Sequence, residues 1–186
     1  GKMGKAIANE LASRGAKVDL VLGPVSTDGI SPLIMVHHVE SADEMYEACL
    51  SLFKICDGAI LSAAVADYKP KTSANQKIKK KTDSLTIELV KNRDILMTLG
   101  SKKKSNQLLA GFALETQNEY ENALTKLEKK NLDFIVLNSM NDKGAGFGKD
   151  TNKVTVIEKG GKTHTFETKS KTAVAEDIVD ILASSI

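Results

Sequence analysis

The sequence predicts an α/β protein built on a doubly wound, mostly parallel sheet. Three stretches, DGAILSAAVAD (57–67), QLLAGFAL (107–114) and LDFIVLNS (132–139), are apolar at both alternating sets of positions. That pattern suits central strands covered on both faces. Amphipathic stretches such as TQNEYENALTKLEKKN (116–131) separate the apolar ones, and alternation of strand with helix is the mark of this class. KVTVIEKGGKTHTFET (153–168) reads as a hairpin turning at Gly160-Gly161, an antiparallel addition near the C-terminus.

The other elements follow in order. Ile7, Leu11 and the alanines between them recur at helical spacing, with Gly15 as the expected C-cap. KVDLVLG (17–23) reads as a buried strand, GPVSTDGISP as a loop and VHHVES as a short strand. Ser41 is placed to cap the next helix, with Glu44 three residues on. LTIELV (85–90) alternates like a strand, and DILMTLG (94–100) reads as a short helix. MNDKGAGFGKDTN is a glycine-rich loop, and Ser170 caps a closing helix.

At 186 residues the chain is expected to form a single domain. Its net charge of +2 does not suggest a polyanion partner. An aromatic content of 4% argues against stacking platforms for single-stranded nucleic acid. Cys49 and Cys56 fit reduced thiols better than a disulfide framework or a zinc site. No apolar run approaches a membrane span and no signal peptide is visible, so a cytoplasmic protein without membrane or nucleic-acid partners is expected. The chain starts inside a helical pattern, GKMGKAIANEL, without an initiator methionine, and reads as a fragment of something longer.

Ligands of open α/β sheets bind beyond the carboxyl ends of the strands. That rule selects LGPV, AAVADY, GFALET and LNSMNDKGAGFG. Gly1 and Gly4 flank Lys2-Met3 at a helix start, where free N–H groups favour anions. No Walker A motif is present. The segment after AAVADY carries five lysines between Lys69 and Lys80. Such runs are usually solvated surface; the sharper reading is a loop bringing Lys77, Lys79 or Lys80 to a polyanion. The same weighing applies to Lys126 and Lys130, four apart on one helix face. The run SKKKSN and the three histidines, His37, His38 and His164, read as surface or structural residues, the histidines without metal-ligand spacing.

The motifs GKMG-AIA, RGAKVDLVLGPV, SADEM, AAVADY-P, KIKK, KN-DIL, GFALET, KL--KNLDFIVLN and GFG-DTNKVTVI occur in this order. Together they resemble the phosphopantothenoylcysteine synthetase (phosphopantothenate–cysteine ligase) family, commonly the C-terminal half of a bacterial bifunctional coenzyme A biosynthesis flavoprotein. The resemblance covers nearly the whole chain, and AAVADY followed by KIKK is its most specific part. It implies a Rossmann-like ligase domain over residues 1–186, without the family's first strand, its glycine-rich phosphate turn and the asparagine ahead of GKMG, and therefore short of part of the catalytic apparatus.

The activity the resemblance implies joins 4'-phosphopantothenate to L-cysteine through an acyl-cytidylate made from CTP, with Mg2+ accompanying the triphosphate. It makes the lysine-rich segment a flexible flap at a homodimer interface. Carried over by motif, Lys77 is the catalytic cation, supported by Lys79 and Lys80. Nucleotide contacts are implied for Ala63, Ala64, Asp67, Lys77, Arg93, Asp94, Ile95, Leu96, Phe112, Lys126 and Lys130. Arg93 stands where the family often has proline. Gly1, Lys2, Met3, Gly4 and Ala64 are implied to meet substrate, with Asn138 and GAGFG as wall residues; metal ligands are left unassigned. A fused upstream flavin-dependent decarboxylase is a further implied partner. Two other readings stay open: an NAD(P)-binding oxidoreductase domain and a flavin-binding module. The first has no use for AAVADY with KIKK, and the second lacks an aromatic cradle. The nucleotide base, CTP against ATP, is also left open by the sequence.

Overall fold

The computed structural model describes residues 1–72, 74, 76–79, 84–115, 117–139 and 150–185. In chain order the elements are α1 (Lys2–Ser13), β1 (Asp19–Leu22), β2 (Met35–His38), α2 (Ala42–Phe53), β3 (Gly58–Leu61), β4 (Tyr68–Pro70), β5 (Leu89–Lys91) and α3 (Ile95–Lys102). They continue with β6 (Leu108–Glu115), α4 (Glu119–Lys129), β7 (Phe134–Ser139), β8 (Thr151–Asn152), β9 (Val154–Glu158), β10 (Thr163–Thr165), β11 (Lys169–Ser170) and α5 (Lys171–Ala183). The expected α/β class holds.

The central sheet has the order β10-β9-β7-β6-β3. β3, β6 and β7 are parallel, β9 adds antiparallel to β7, and β10 adds antiparallel to β9. The parallel strands read as continuous apolar runs because both of their faces are covered. Along β7, Phe134 and Val136 join one core with Ile7 of α1 and Val174 and Ile178 of α5. Ile135 and Leu137 point the other way, into a core with Phe53 of α2, Leu99 of α3 and Leu127 of α4. That is the period-two alternation of a strand serving two hydrophobic layers.

The expected caps form. Ser41 Oγ accepts from Glu44 N, while Glu44 reaches back to accept from Glu40 N at 2.8 Å. Ser170 Oγ accepts from Ala173 N. Gly161 adopts φ 84° in the β9–β10 turn, where glycine carries no steric cost.

Four expectations need correction. The C-cap of α1 is Arg14, and Gly15 lies one residue beyond it in the left-handed conformation. β1 pairs in parallel with β2 in a two-stranded ladder separate from the five-stranded sheet. The strand expected over 57–67 stops at Leu61, because residues 62–66 leave the sheet toward an antiparallel arm. In that arm β4 pairs with β5, so the strand expected over 85–90 is confined to Leu89–Lys91. Leu85, Ile87 and Leu89 of this alternating stretch are exposed, and an alternation without a core behind it nucleates no long strand.

Candidate functional site

The parallel strands β3, β6 and β7 end on one edge, which brings Ser62, Glu115 and Ser139 to the same side of the sheet. Three segments are drawn to this edge by identifiable contacts. At β3, a Cβ on Gly4 would come within 2.8 Å of Ser62 Oγ. The GKMG turn of α1 therefore lies against the strand end that leads into Ala63 and Ala64, both of which are exposed. The second segment is the exit from the arm. Asn92 N donates to Asp67 O at 2.8 Å and Asn92 Nδ2 donates to Ala66 O at 2.7 Å. Those two bonds hold AAVADY beside NRDIL.

The third segment is α4. Asp94 caps α3 by accepting from Met97 N at 2.9 Å, and its other carboxylate oxygen takes the Lys130 ammonium at 2.8 Å. Lys126, one turn earlier, pairs with Glu115 at the end of β6. Asn122 Nδ2 donates to the second oxygen of Glu115 at 3.2 Å. Around these groups lies a cavity of about 400 Å³ lined by Asp94, Met97, Glu115, Asn122, Lys126 and Lys130, with Thr125 and Lys129 at its side. Three lysines face two carboxylates, so the cavity carries a positive excess suited to an anionic ligand.

Burial pushes the Asp94 carboxyl up, but hydrogen bonds from Lys130 and Met97 N, with the charges of Lys130 and Lys129, hold it below the usual carboxylate range. Ile95 is buried, and Leu96 packs on the bare backbone of β6 at Gly111, where a Cβ would meet Leu96 Cδ2 at 2.6 Å. These two residues therefore fix the seating of α3.

Arg93 is turned elsewhere. Its guanidinium stacks 3.7 Å from the centroid of the Tyr46 ring and donates to Glu47 at 2.7 Å and Asp43 at 3.4 Å. It leaves the cavity to its backbone neighbours. Phe112 and Met3 pack against the α1–α5 core, on the opposite face of the sheet from Leu96. Lys2 reaches Asp150 at 2.5 Å. Asn138 is the last but one residue of β7, and its buried Oδ1 has no hydrogen-bond partner among the described residues. Lys77 and Lys79 are exposed between β4 and β5. Among the described residues no hydrogen bond or ion pair joins Lys77 to the cavity. Lys80 and the GAGFG loop lie outside the described residues. His37 and His164 pair with Asp19 and Glu158, and His38 is exposed. Glu115, Asn122 and Asp43 were not singled out by the sequence. Glu115 sits in the GFALET motif at the end of a strand, so no helical spacing relates it to Lys126 on α4.

The model of the DNA/pantothenate metabolism flavoprotein C-terminal domain matches residues 1–186. The chain belongs to this family.

Among its relatives, the coenzyme A biosynthesis bifunctional protein CoaBC of Bacillus subtilis is 45% identical over 99% of this chain and 45% of that protein. A prokaryotic protein of unknown organism, named cysteine/cysteine sulfinic acid decarboxylase, is 51% identical over 96% of this chain and 50% of its own length. The chain thus spans about half the length of the curated relatives it matches. A crystal structure of the C-terminal domain of a CoaBC protein superposes with a TM-score of 0.81 at 37% identity, covering 98% of this chain and 81% of that one. No helix among the described residues is long and apolar enough to cross a membrane.

Proposed function

We propose that this flavoprotein C-terminal domain is a phosphopantothenate–cysteine ligase acting in coenzyme A biosynthesis, with CTP as the activating nucleotide. One observation carries the reading: Asp94 of NRDIL pairs with Lys130 at the end of α4, and both line, with Lys126, a positively biased cavity at the carboxyl edge of the sheet. The family match and the names of the relatives set that cavity in a biosynthetic context.

The chemistry brings negative groups together. The carboxylate of 4'-phosphopantothenate attacks the α-phosphorus of CTP, a P–O bond forms, and pyrophosphate leaves with the electrons of the broken P–O bond. The amine of L-cysteine then attacks the activated carbonyl; CMP leaves, the amine loses a proton and an amide remains. Both steps need fixed cations around developing charge. In this reading Lys126 and Lys130 hold the nucleotide. Asp67, Asp94 and the exposed Ala63 and Ala64 orient it, with Ile95 and Leu96 seating α3; Phe112, on the opposite face of the sheet, takes no part in this cavity. The α1 start at Gly1–Gly4 receives substrate phosphate. Lys77, on the arm, closes over the α-phosphate, and excluding water protects the mixed anhydride from hydrolysis. Arg93 contributes its backbone only, since its guanidinium is committed to α2. In this reading Mg2+ would enter with the triphosphate. The proposal includes a homodimer completing each site and a fused upstream decarboxylase in the full-length protein.

Calorimetric titration with CTP, ATP, NADPH and FMN tests this reading. CTP with Mg2+ is expected to bind most tightly. Selective binding of NADPH or FMN overturns the ligase, and preference for ATP overturns only the choice of base.

A further inference from the structure

A lysine next to a cavity is effective only where its flexible stem is held. Free in solvent, a lysine side chain loses most of its rotamer freedom when a ligand fixes it. Lys126 does not stand free. Its ammonium pairs with Glu115, whose side chain is only 14% exposed at the last position of β6. Asn122, one turn before Lys126 on α4, donates to the other Glu115 oxygen at 3.2 Å and to Gln117 O at 3.0 Å. The carboxylate is therefore clamped from two directions by the helix that carries the lysine, while its backbone belongs to the central sheet.

We propose that Glu115 is a positioning residue that acts through Lys126, holding the ammonium at the cavity wall so that a nucleotide phosphate meets an ordered cation. The inference rests on the nucleotide reading of the cavity. The alternative role for a carboxylate in this place is competition, in which Glu115 neutralises Lys126 and a phosphate must displace it. Burial separates the two roles. A mostly buried carboxylate already compensated by an ammonium and an amide acts on an incoming phosphate as a local dipole, so its repulsion is small and its ordering effect dominates. Asp94 and Lys130 repeat the arrangement one turn along α4, but there the carboxylate also caps α3, so ordering and capping are not separable. Glu115 is the cleaner test.

The experiment is a double-mutant cycle on the full-length protein, using CTP with Mg2+ as the probe, read by calorimetry and by steady-state kinetics. Glu115→Gln keeps the shape and the Asn122 contact but removes the charge. It is expected to weaken CTP binding about five-fold, the worth of one charge-assisted contact, and to raise the KM for CTP with little change in kcat. In a Lys126→Ala background the same substitution is expected to change nothing further. Glu115→Asp, which keeps the charge on a shorter stem, is expected to recover part of the loss. Thermal unfolding of each variant separates misfolding from loss of positioning.

Tighter CTP binding in Glu115→Gln overturns the proposal in favour of competition. Additive losses in the double variant, or no effect of Glu115→Gln where Lys126→Ala weakens binding, overturn it as well. If Lys126→Ala itself leaves CTP affinity intact, the assignment of the cavity fails; if the wild type does not bind CTP, the ligase reading fails. Those last two results are distinct from a failure of Glu115 alone.

Discussion

Asp94 joins two helices: one carboxylate oxygen caps α3 at Met97 N, 2.9 Å away, and the other takes the Lys130 ammonium of α4 at 2.8 Å. A single side chain thereby fixes both the N-terminus of α3 and one wall of the cavity.

Replacing Asp94 with alanine removes the cap. The expected loss of stability is about 1 kcal/mol, the usual worth of an N-cap, with little added by the ion pair because both side chains remain in contact with solvent. Because the folded carboxyl titrates below its ordinary value, its stabilisation is present above the unfolded pKa of about 3.9 and is lost as pH falls through the folded one. The gap between the thermal unfolding of wild type and Asp94→Asn should therefore narrow as pH falls below the unfolded pKa. Curves that stay parallel throughout contradict the linkage.

Gly100 lies where α3 passes the end of α4. A Cβ there would stand 1.8 Å from the carbonyl oxygen of Lys130, and backbone cannot turn aside as a side chain does. Gly100→Ala is expected to destabilise the domain by about 2–3 kcal/mol. CTP affinity should fall as well, since the displaced strand of contacts carries Lys130. A variant with wild-type melting temperature shows that the two helices are not packed this closely.

At the opposite edge of the sheet, Lys103 is only 8% exposed and its ammonium contacts both oxygens of Asp133 at 2.7 and 2.8 Å. Asp133 also accepts from Leu109 N at 2.7 Å. Asp133→Ala strands a buried ammonium, for which a loss of about 3 kcal/mol is expected. Lys103→Met, which removes the cation while keeping an apolar stem, should cost less. Chemical denaturation of the two variants decides it, and equal losses contradict the account of an uncompensated charge.

Much of the fold was legible because burial leaves a pattern. β6 and β7 read as continuous apolar runs since each feeds two cores, and Ser41 and Ser170 announced their helices by cap chemistry. The length of β3 was misjudged because Ala63, Ala64 and Val65 are as apolar as the strand before them, and nothing local says that the chain leaves the sheet there. The alternation of Leu85, Ile87 and Leu89 looked like a strand, although solvent lies on the side where a core was expected. Within the site, motif position led to Asp94, Lys126 and Lys130, which the structure brings together. It did not lead to Glu115 or Asn122, because an ion pair between a strand end and the following helix depends on the angle between them and on no spacing in the chain. Arg93 shows the converse: its place in NRDIL pointed to the site, and its guanidinium is drawn to Tyr46 and Glu47 of α2.

Lys77 is exposed on the β4–β5 arm, so its replacement should leave the fold untouched. In the full-length protein Lys77→Ala is expected to lower kcat about 100-fold, as loss of one preplaced charge-stabilising group does, with an unchanged melting temperature. Turnover within a few-fold of wild type contradicts the role of the arm.

The most direct test of the ligase itself is release of pyrophosphate from CTP by the full-length protein in the presence of Mg2+. The account predicts release that depends on 4'-phosphopantothenate, with CMP and the amide product appearing once L-cysteine is added. A folded protein that binds CTP yet releases no pyrophosphate with 4'-phosphopantothenate present contradicts it.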